Sequence, residues 1–227
     1  MRCLNCHDVI NEEPTLISLF TKNEPLCSAC RTALNFKYPG ARCQRCHQLV
    51  PEKIDICRDC QALYALYPDI NKMYMVTDYN EAVKMLMHRY KFVGAYALGE
   101  VLALLTDFKF KQYDYVVPIP VSKARMRERT YNQTSAVLES LGVKYTDMLG
   151  TKKVKRQSEL TKNERLNSTN PFYLLKHVST MNLSGKSVLI ADDIYTTGIT
   201  VHQAANVIKE LNFQNIDVLT FSKAQHI

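Results

Sequence analysis

The sequence lacks the features that would place the protein in a membrane or outside the cell. No stretch among its 227 residues approaches the roughly 18 consecutive apolar residues that span a bilayer. The opening segment, Met1 to His7, contains none of the apolar core of a signal peptide. We therefore expect a cytoplasmic protein, in which disulfide bonds are uncommon and clustered cysteines usually hold a metal ion.

Cysteine is absent from residues 61–227, whereas the first 60 residues contain all eight. A single uniform domain rarely distributes one residue type so unevenly, and so we predict two units of different character. At roughly 100–200 residues per domain, the length fits one conventional domain with a small appendage. We place a zinc-binding domain at residues 1–70 and a second domain at residues 71–227.

The cysteines form four Cys-x-x-Cys pairs, the spacing typical of structural zinc sites. One such turn presents two thiolates on the same side of a tight loop, and a second turn completes a tetrahedron around Zn²⁺. Four pairs therefore predict a double zinc ribbon with two structural Cys₄ sites. The predicted ligands are Cys3, Cys6, Cys27, Cys30, Cys43, Cys46, Cys57 and Cys60.

The spacing leaves the pairing of these turns open. Sequential pairing closes the shorter loops and is favoured, while interleaved pairing would join the first turn to the third and the second to the fourth. The turns at Cys3–His7 and Cys43–His47 also match the Cys-x-x-Cys-His pattern of c-type haem attachment. Haem attachment would require export and would leave two pairs unexplained, and so the sequence favours zinc.

Beyond the cysteines, apolar strands alternate with helices of about ten residues. We predict strands near residues 73–77, 115–120, 187–191 and 215–221, and helices near residues 81–90, 95–105, 122–141 and 200–211. This alternation indicates an α/β domain with a mostly parallel sheet flanked by helices. Ligands of such sheets bind beyond the carboxyl ends of the strands, and so we expect the binding site at the loops after Val117 and Ala191.

The most specific motif follows the strand predicted at residues 187–191. The apolar run leads directly into Asp192 and Asp193, and a Thr/Gly turn then opens a helix. Backbone N–H groups at a helix N-terminus bind anions, and glycine permits close approach of the backbone. Two carboxylates beside such an anion site suit a vicinal diol, or a metal ion bound to it. The chain has no Gly-x-x-x-x-Gly-Lys-Ser/Thr, which excludes a Walker A loop.

This motif closely resembles the phosphoribosyl pyrophosphate (PRPP) signature of type I phosphoribosyltransferases. The resemblance implies a type I phosphoribosyltransferase-like fold and binding of PRPP together with Mg²⁺. Asp192 and Asp193 would then hold the ribose hydroxyls. The 5′-phosphate would lie on the turn formed by Thr196, Thr197, Gly198, Ile199 and Thr200.

A second segment narrows the resemblance. The strand ends in Pro118-Ile119-Pro120, and a basic turn leads into Tyr131-Asn132-Gln133. Together with the paired cysteines, this pattern resembles the ComF family, which includes late-competence ComFC and GntX-like proteins. Tyr79 and Lys91-Phe92 fit a weaker block of that family. Thr130 stands where the family usually has glycine, a difference expected to alter the turn.

The ComF resemblance implies a role in DNA uptake during natural transformation. Its implied partners are single-stranded DNA and the ATP-driven DNA translocase ComFA. The PRPP pocket would serve catalysis, sensing or the binding of a nucleotide phosphate. A fourth family block is expected around residues 157–172.

The net charge of +7 has two candidate locations near these motifs. The first comprises the candidates for binding pyrophosphate or DNA, which are Lys123, Arg125, Arg127 and Arg129. The second basic cluster lies at residues 152–156. A pyrophosphate site needs concentrated positive charge, and single-stranded DNA needs basic residues with aromatic rings for stacking. The tyrosines nearest to the clusters are Tyr131, Tyr145 and Tyr173.

Two functions remain open on the sequence alone. The first is a DNA-uptake protein that binds single-stranded DNA and retains a PRPP-competent fold. The alternative is an active phosphoribosyltransferase that transfers 5-phosphoribose from Mg²⁺-PRPP to an unknown acceptor in nucleotide metabolism. No histidine or other side chain stands out as a general base for that acceptor, and so catalysis is left undecided.

Overall fold

A computed structural model describes residues 1–10, 25–67, 70–92, 95–152 and 170–225. Most of the second basic cluster, at residues 153–156, and the fourth family block up to residue 169 lie outside these residues. Within the described parts of the chain, no helix combines the length and the apolar character needed to cross a bilayer.

A parallel sheet of four strands lies at the centre of the described residues, in the order β1-β6-β5-β2. Its strands are β1 (Met73–Asp78), β2 (Tyr115–Pro118), β5 (Ser187–Tyr195) and β6 (Asn215–Lys223). A separate antiparallel pair joins β3 (Leu149–Thr151) to β4 (Phe172–Leu174). The predicted α/β architecture with a mostly parallel sheet is confirmed.

Helices cover both faces of the parallel sheet. They are α1 (Ser28–Asn35), α2 (Arg58–Leu66), α3 (Glu81–Phe92), α4 (Leu98–Leu104), α5 (Lys123–Arg129), α6 (Gln133–Ser140) and α7 (Ile199–Ile208). Short 3₁₀ segments occur at Phe110–Gln112, Lys176–Thr180 and Lys209–Leu211.

Alternation along β5 separates the core into two layers. Successive side chains of a strand point to opposite faces. Accordingly, Val188 and Ile190 belong to one buried cluster, which includes the apolar residues of α7. Leu189 and Ala191 belong to another, with the apolar residues of α3, α4 and α6. The sheet is therefore buried on both faces.

The cysteine-rich segment contributes to both layers. Its last four cysteines lie in the buried cluster on the α7 side. Cys3 lies in the other cluster together with Leu26 and Leu34, and Cys27 and Cys30 pack against that cluster. The cysteine-rich segment thus shares its hydrophobic core with the sheet. The domain boundary near residue 70 stays a prediction.

The single helix predicted at residues 122–141 is wrong, because the chain forms two helices there. Thr130 has φ 67° in the left-handed region and ends α5. Asn132 then begins α6, its side-chain Oδ1 accepting a hydrogen bond from the Thr134 N–H at 3.0 Å. A β-branched residue rarely adopts this conformation, which costs about 1–2 kcal/mol and explains the family's usual glycine.

The strand predicted at residues 187–191 continues four residues further than expected. Its pairing with β6 runs on through Asp192 opposite Thr220 to Tyr195 opposite Lys223. The two aspartates therefore belong to the strand rather than to the loop after it. By contrast, β2 ends at Pro118, two residues before the predicted end.

A buried ion pair fastens the cysteine-rich segment to the end of β1. Asp78 accepts hydrogen bonds from both Nη atoms of Arg42, at 3.0 and 2.7 Å. It also accepts from the Tyr38 N–H at 2.8 Å and from Gln225 Nε2 at 2.7 Å. Although burial opposes ionisation, hydrogen bonds from Arg42, Gln225 and Tyr38 hold the pKa of Asp78 below its ordinary value.

We predict that Asp78→Asn lowers the free energy of unfolding at pH 7 by about 2 kcal/mol, because it leaves a partly buried guanidinium without its counter-charge. A carboxylate with a depressed pKa stabilises the fold above its unfolded pKa of about 3.9, and this contribution is lost as the pH falls through the folded pKa. The deficit measured by urea unfolding should therefore be full at pH 7 and shrink below about pH 4.

Glu81→Gln is the matched control, because Glu81 forms an exposed pair with Lys84 at 3.3 Å. Exposed pairs of this kind contribute about 1 kcal/mol at most. Equal losses in the two variants would contradict a structural role for the Asp78 ion pair.

Candidate functional site

A cleft opens beyond the carboxyl ends of β2 and β5, where the α/β pattern predicts a ligand site. We call it the central cleft. Its charged lining residues are Lys91, Arg125, Arg129, Asp192 and Asp193. The polar lining residues are Ser122, Asn132, Gln133, Thr134, Thr196 and Thr200. Segments from β2, α3, α5, α6, β5 and α7 therefore converge on one site.

The two aspartates reach this cleft from opposite faces of β5. By strand alternation, Asp192 continues the α7 face of Ile190, and Asp193 continues the α3 face of Ala191. The Asp193 N–H donates to Asp192 Oδ1 at 2.9 Å. Lys91 on α3 forms an ion pair with Asp193, with Nζ and Oδ2 2.5 Å apart. The carboxylates are thus held at the strand end with one cation beside them.

The turn after β5 gives its five predicted phosphate ligands different positions. Thr196 and Thr200 line the central cleft, whereas Thr197 lines a small neighbouring cavity with Cys46 and Cys57. Ile199 is buried. Gly198 has φ +81° and stands at the N-cap of α7.

Helix α7 supplies an anion-binding end to the cleft. Its first intrahelical bond is from the His202 N–H to the Gly198 carbonyl at 3.1 Å. The N–H groups before His202 have no acceptor within the helix, and the helix dipole adds positive potential there. With the Thr196 and Thr200 side chains nearby, this end of the cleft suits a phosphate group.

Helix α5 divides its cations between two sites. Arg125 and Arg129, four residues apart, face the central cleft, while Lys123 faces a neighbouring cleft. Arg127 is exposed and lines neither. This follows from helical geometry, since residues i and i+4 share a face. The four cations predicted as one group therefore separate.

Arg129 is a buried cation whose side chain can donate a further hydrogen bond. Its side chain donates to Gln133 Oε1 at 2.9 Å and lies over the Phe92 ring. Its Nε is buried without a hydrogen-bond partner among the described residues. Burial, and then the charge of Arg125, lowers the pKa of this guanidinium. A buried donor without a partner favours an anion in the cleft.

Lys91, Asn132 and Gln133 are among the lining residues that escaped the predicted ligand set. Each stands in a segment that the sequence had singled out by resemblance, Lys91-Phe92 and Tyr131-Asn132-Gln133. Asn132 caps α6 and donates to the Ile119 carbonyl at 2.9 Å, which ties the two walls of the cleft together. The motifs marked these segments, but only the fold assigns their side chains to the site.

The cysteines form two groups of four, each with its sulfur atoms within 4.8 Å of one another. Sequential pairing is confirmed, with one group from the first two turns and one from the last two, and interleaved pairing is wrong. Sulfur distances of 3.7 Å for Cys6–Cys27 and 3.6 Å for Cys46–Cys57 approach the edge of about 3.8 Å that tetrahedral Zn–S bonds of ~2.3 Å require. Both groups could hold a metal ion.

The two groups also share a local backbone geometry. The Cys27 N–H donates to Cys3 Sγ at 3.4 Å, and the Cys57 N–H donates to Cys43 Sγ at 3.4 Å. His7 and His47 have φ values of 66° and 56° and close the first turn of each group. The histidine of each Cys-x-x-Cys-His pattern is therefore the residue that adopts the left-handed conformation of the turn. The hydrogen bond between Cys46 and Cys60 lowers the pKa of Cys46 to about 5 and raises the pKa of Cys60.

Comparison with known proteins agrees with this geometry. The phosphoribosyl transferase domain family matches residues 131–226. Competence protein ComFC of Streptococcus pneumoniae is 32% identical over 98% of this chain and 99% of its own length. This chain belongs to the ComFC family. ComFC of Bacillus subtilis is 30% identical over 92% of this chain and 88% of its own length.

The fold is phosphoribosyltransferase-like, with two Cys₄ groups near its N-terminus. Among solved structures, a hypoxanthine-guanine phosphoribosyltransferase from Bacillus anthracis matches 56% of this chain and 68% of its own, at 17% identity and a TM-score of 0.35. At that score the likeness adds no weight to the assignment.

Gly198 generates a prediction with an internal control. A Cβ at this position would overlap the Tyr195 hydroxyl, and the φ of +81° is strained for any L side chain. Gly198→Ala should lower the free energy of unfolding by about 2–4 kcal/mol, the sum of backbone strain and overpacking. Urea unfolding measures this loss.

Gly185→Ala is the matched control, because it introduces the backbone strain of a positive φ without the overlap with a neighbouring side chain. Gly185 has φ +74° but nothing within 4 Å of the added Cβ. Its substitution should therefore cost only about 1 kcal/mol. Similar losses at both positions would show that the contact with Tyr195 does not constrain the turn.

Proposed function

We propose that this chain acts in DNA uptake as a ComFC-type competence protein, with a central cleft that binds Mg²⁺-PRPP or a related phosphorylated ligand. The observation that carries the proposal is the convergence of three chemically different groups on one cleft. These are two carboxylates, the start of a helix and a wall of three cations. Each group suits a different part of PRPP.

The carboxylates are the proposed ribose ligands. A vicinal diol offers two O–H donors, and Asp192 and Asp193 offer acceptors at the strand end. Carboxylate oxygens also suit Mg²⁺, which is usually held by one or two carboxylates together with substrate phosphates. These two residues would hold the ion if it enters with the ligand.

The two ends of the cleft suit the two phosphate groups of PRPP. The 5′-phosphate fits the start of α7, beside Thr196 and Thr200. The pyrophosphate fits the cations Lys91, Arg125 and Arg129. Lys91 also pairs with Asp193, and a bound phosphate or ion would compete for this contact.

Single-stranded DNA and the translocase ComFA are the proposed macromolecular partners. The competence-protein names of the relatives and the exposed cations of α5 support this assignment. The cysteines form no disulfide among the described residues, which suits action in the reducing cytoplasm.

Active phosphoribosyl transfer is the alternative function, and the same cleft supports it. The described lining residues include no histidine and no carboxylate besides the two aspartates. A general base for an acceptor is therefore not evident, and we propose ligand binding as the primary role. Release of pyrophosphate with nucleobases as acceptors would establish turnover instead.

The PRPP proposal predicts saturable heat on titrating the chain with Mg²⁺-PRPP. In Asp192→Asn/Asp193→Asn, affinity should fall at least about tenfold, because hydrogen bonds to charged groups contribute about 1.5–3 kcal/mol each. Asp107→Asn, an exposed aspartate outside the cleft, should leave affinity unchanged. Absence of binding by the wild type, or equal affinity in the double variant, would rule the site out.

A transformation assay tests the cellular role with the same variants. Cells carrying Asp192→Asn/Asp193→Asn should take up marker DNA at lower frequency than cells carrying Asp107→Asn. A variant that fails to bind PRPP and yet transforms normally would separate the ligand from DNA uptake.

We also propose that the two Cys₄ groups hold structural zinc, and metal analysis should then find two equivalents per chain. Cys6→Ser and Cys46→Ser should each lose one equivalent. Because Cys46 is only 3% exposed within the core of the sheet whereas Cys6 is exposed, Cys46→Ser should lower the urea midpoint further. Equal stability in both variants would mean that the second site does not support the sheet.

A further inference from the structure

We propose that a second cleft, next to the central one, stacks unpaired bases of single-stranded DNA on tyrosine rings. This inference rests on the DNA-uptake function proposed above. The cleft is lined by Tyr96, Tyr131, Tyr145 and Tyr173, with Lys123 on its α5 side, and we call it the tyrosine cleft. These tyrosines come from four separate segments that only the fold brings together.

Three of the four rings are held in place by their hydroxyl groups. Tyr96 and Tyr145 donate to the two carboxylate oxygens of Glu139, at 2.9 and 2.7 Å. The Tyr131 hydroxyl donates to the Tyr90 carbonyl at 2.5 Å. The Tyr96 and Tyr131 rings also pack edge to face, with centroids 5.1 Å apart. Rings ordered in advance lose little conformational entropy when a ligand stacks on them.

The fourth ring, Tyr173, lies on β4 and packs over Gly150 of the paired strand. Any Cβ at Gly150 would overlap this ring, and so the glycine is what allows the ring to lie against the strand. Tyr173 is nonetheless 41% exposed. Lys152 Nζ lies 5.7 Å from the ring centroid. A supported, exposed ring beside a cation is what a nucleotide with a flat base and a phosphate requires.

The charges of the cleft orient such a strand. Lys123 lines the cleft from α5, and Lys152 lies beside Tyr173. Of the two acids lining the cleft, Glu139 has both oxygens engaged by tyrosines. The other, Asp147, is exposed and disfavours phosphate on its side. The phosphates would therefore follow α5, and the bases would point towards the rings.

The ligand chemistry favours single strands over duplexes. In a duplex the base faces are stacked on one another and are not available to protein rings. Every unpaired base has such a face, so tyrosine stacking tolerates any sequence. An uptake protein that handles arbitrary DNA needs this tolerance.

The first test uses the absence of tryptophan from this chain. Tyr173→Trp introduces the chain's single tryptophan at the proposed stacking position, where it can be excited apart from the tyrosines. Titration with a single-stranded oligonucleotide at low salt should quench its fluorescence, whereas an abasic oligonucleotide of equal length should not. Met85→Trp, at a position 63% exposed on α3, is the reporter control and should not be quenched.

The second test separates stacking from packing. Tyr173→Phe keeps the ring and should retain wild-type affinity for the oligonucleotide. Tyr173→Leu keeps an apolar group over Gly150 but has no aromatic face, and affinity should fall about 5- to 150-fold. Equal affinities for Phe and Leu, or quenching in Met85→Trp alone, would overturn the assignment of the tyrosine cleft.

These outcomes distinguish the cleft from the function on which it rests. If the wild type binds single-stranded DNA but Tyr173→Leu binds equally well, DNA binding stands and the tyrosine cleft is wrong. If the wild type binds no single-stranded DNA at low salt, both fail, while binding of Mg²⁺-PRPP is judged by its own titration.

Discussion

Strand β5 is hydrogen-bonded to β2 along Tyr115–Pro118 and to β6 over most of its own length. The pairing with β2 ends opposite Ala191, and the pairing with β6 alone continues the strand through Tyr195, beyond the apolar run that begins it. Because the pairing continues, Asp192 and Asp193 keep the alternation of a strand and emerge on opposite faces. The turn that follows then has one possible starting point, and the start of α7 is fixed with it. Carboxylates and helix start are thus positioned by backbone hydrogen bonds rather than by their own contacts.

The second Cys₄ group reinforces the same strand end from outside. Lys223, the partner of Tyr195 across the ladder, is 1% exposed, donates to Gln48 Oε1 at 2.9 Å and lies 5.4 Å from the Tyr195 ring. Burial lowers the pKa of this lysine, and the neighbouring cysteines, Cys46 foremost, raise it. Four thiolates around one divalent ion carry a net charge of −2, and a buried ammonium nearby offsets part of that charge. Leu63 of α2 also lies against Gly198. The cysteine-rich segment therefore supports the turn that we propose binds phosphate.

Local motifs and long-range contacts differed in how far the sequence could predict them. The cysteine groups and the turn at Gly198 are contiguous patterns with fixed geometric demands, and these could be predicted. The break between α5 and α6 was not predicted, because Thr130 adopts a left-handed conformation against its own preference, and the one signal for it was the glycine that the family usually has there. The length of β5 depends on its pairing with β6. The sequence therefore placed the two aspartates in the loop after the strand, whereas they lie within it. The tyrosine cleft joins residues from Tyr96 to Tyr173, a grouping that exists only once the sheet is formed.

Helix α5 connects the two proposed sites. It has seven residues, and its N-terminus is capped by Ser122 and its C-terminus ends at Thr130. Arg125 and Arg129 point one way into the central cleft, and Lys123 points the other way into the tyrosine cleft. Pro120, Val121 and Asn132 line both clefts. A ligand that contacts Arg125 and Arg129 would contact the same helix that forms a wall of the proposed DNA site. The two proposed sites therefore share one helix as a wall.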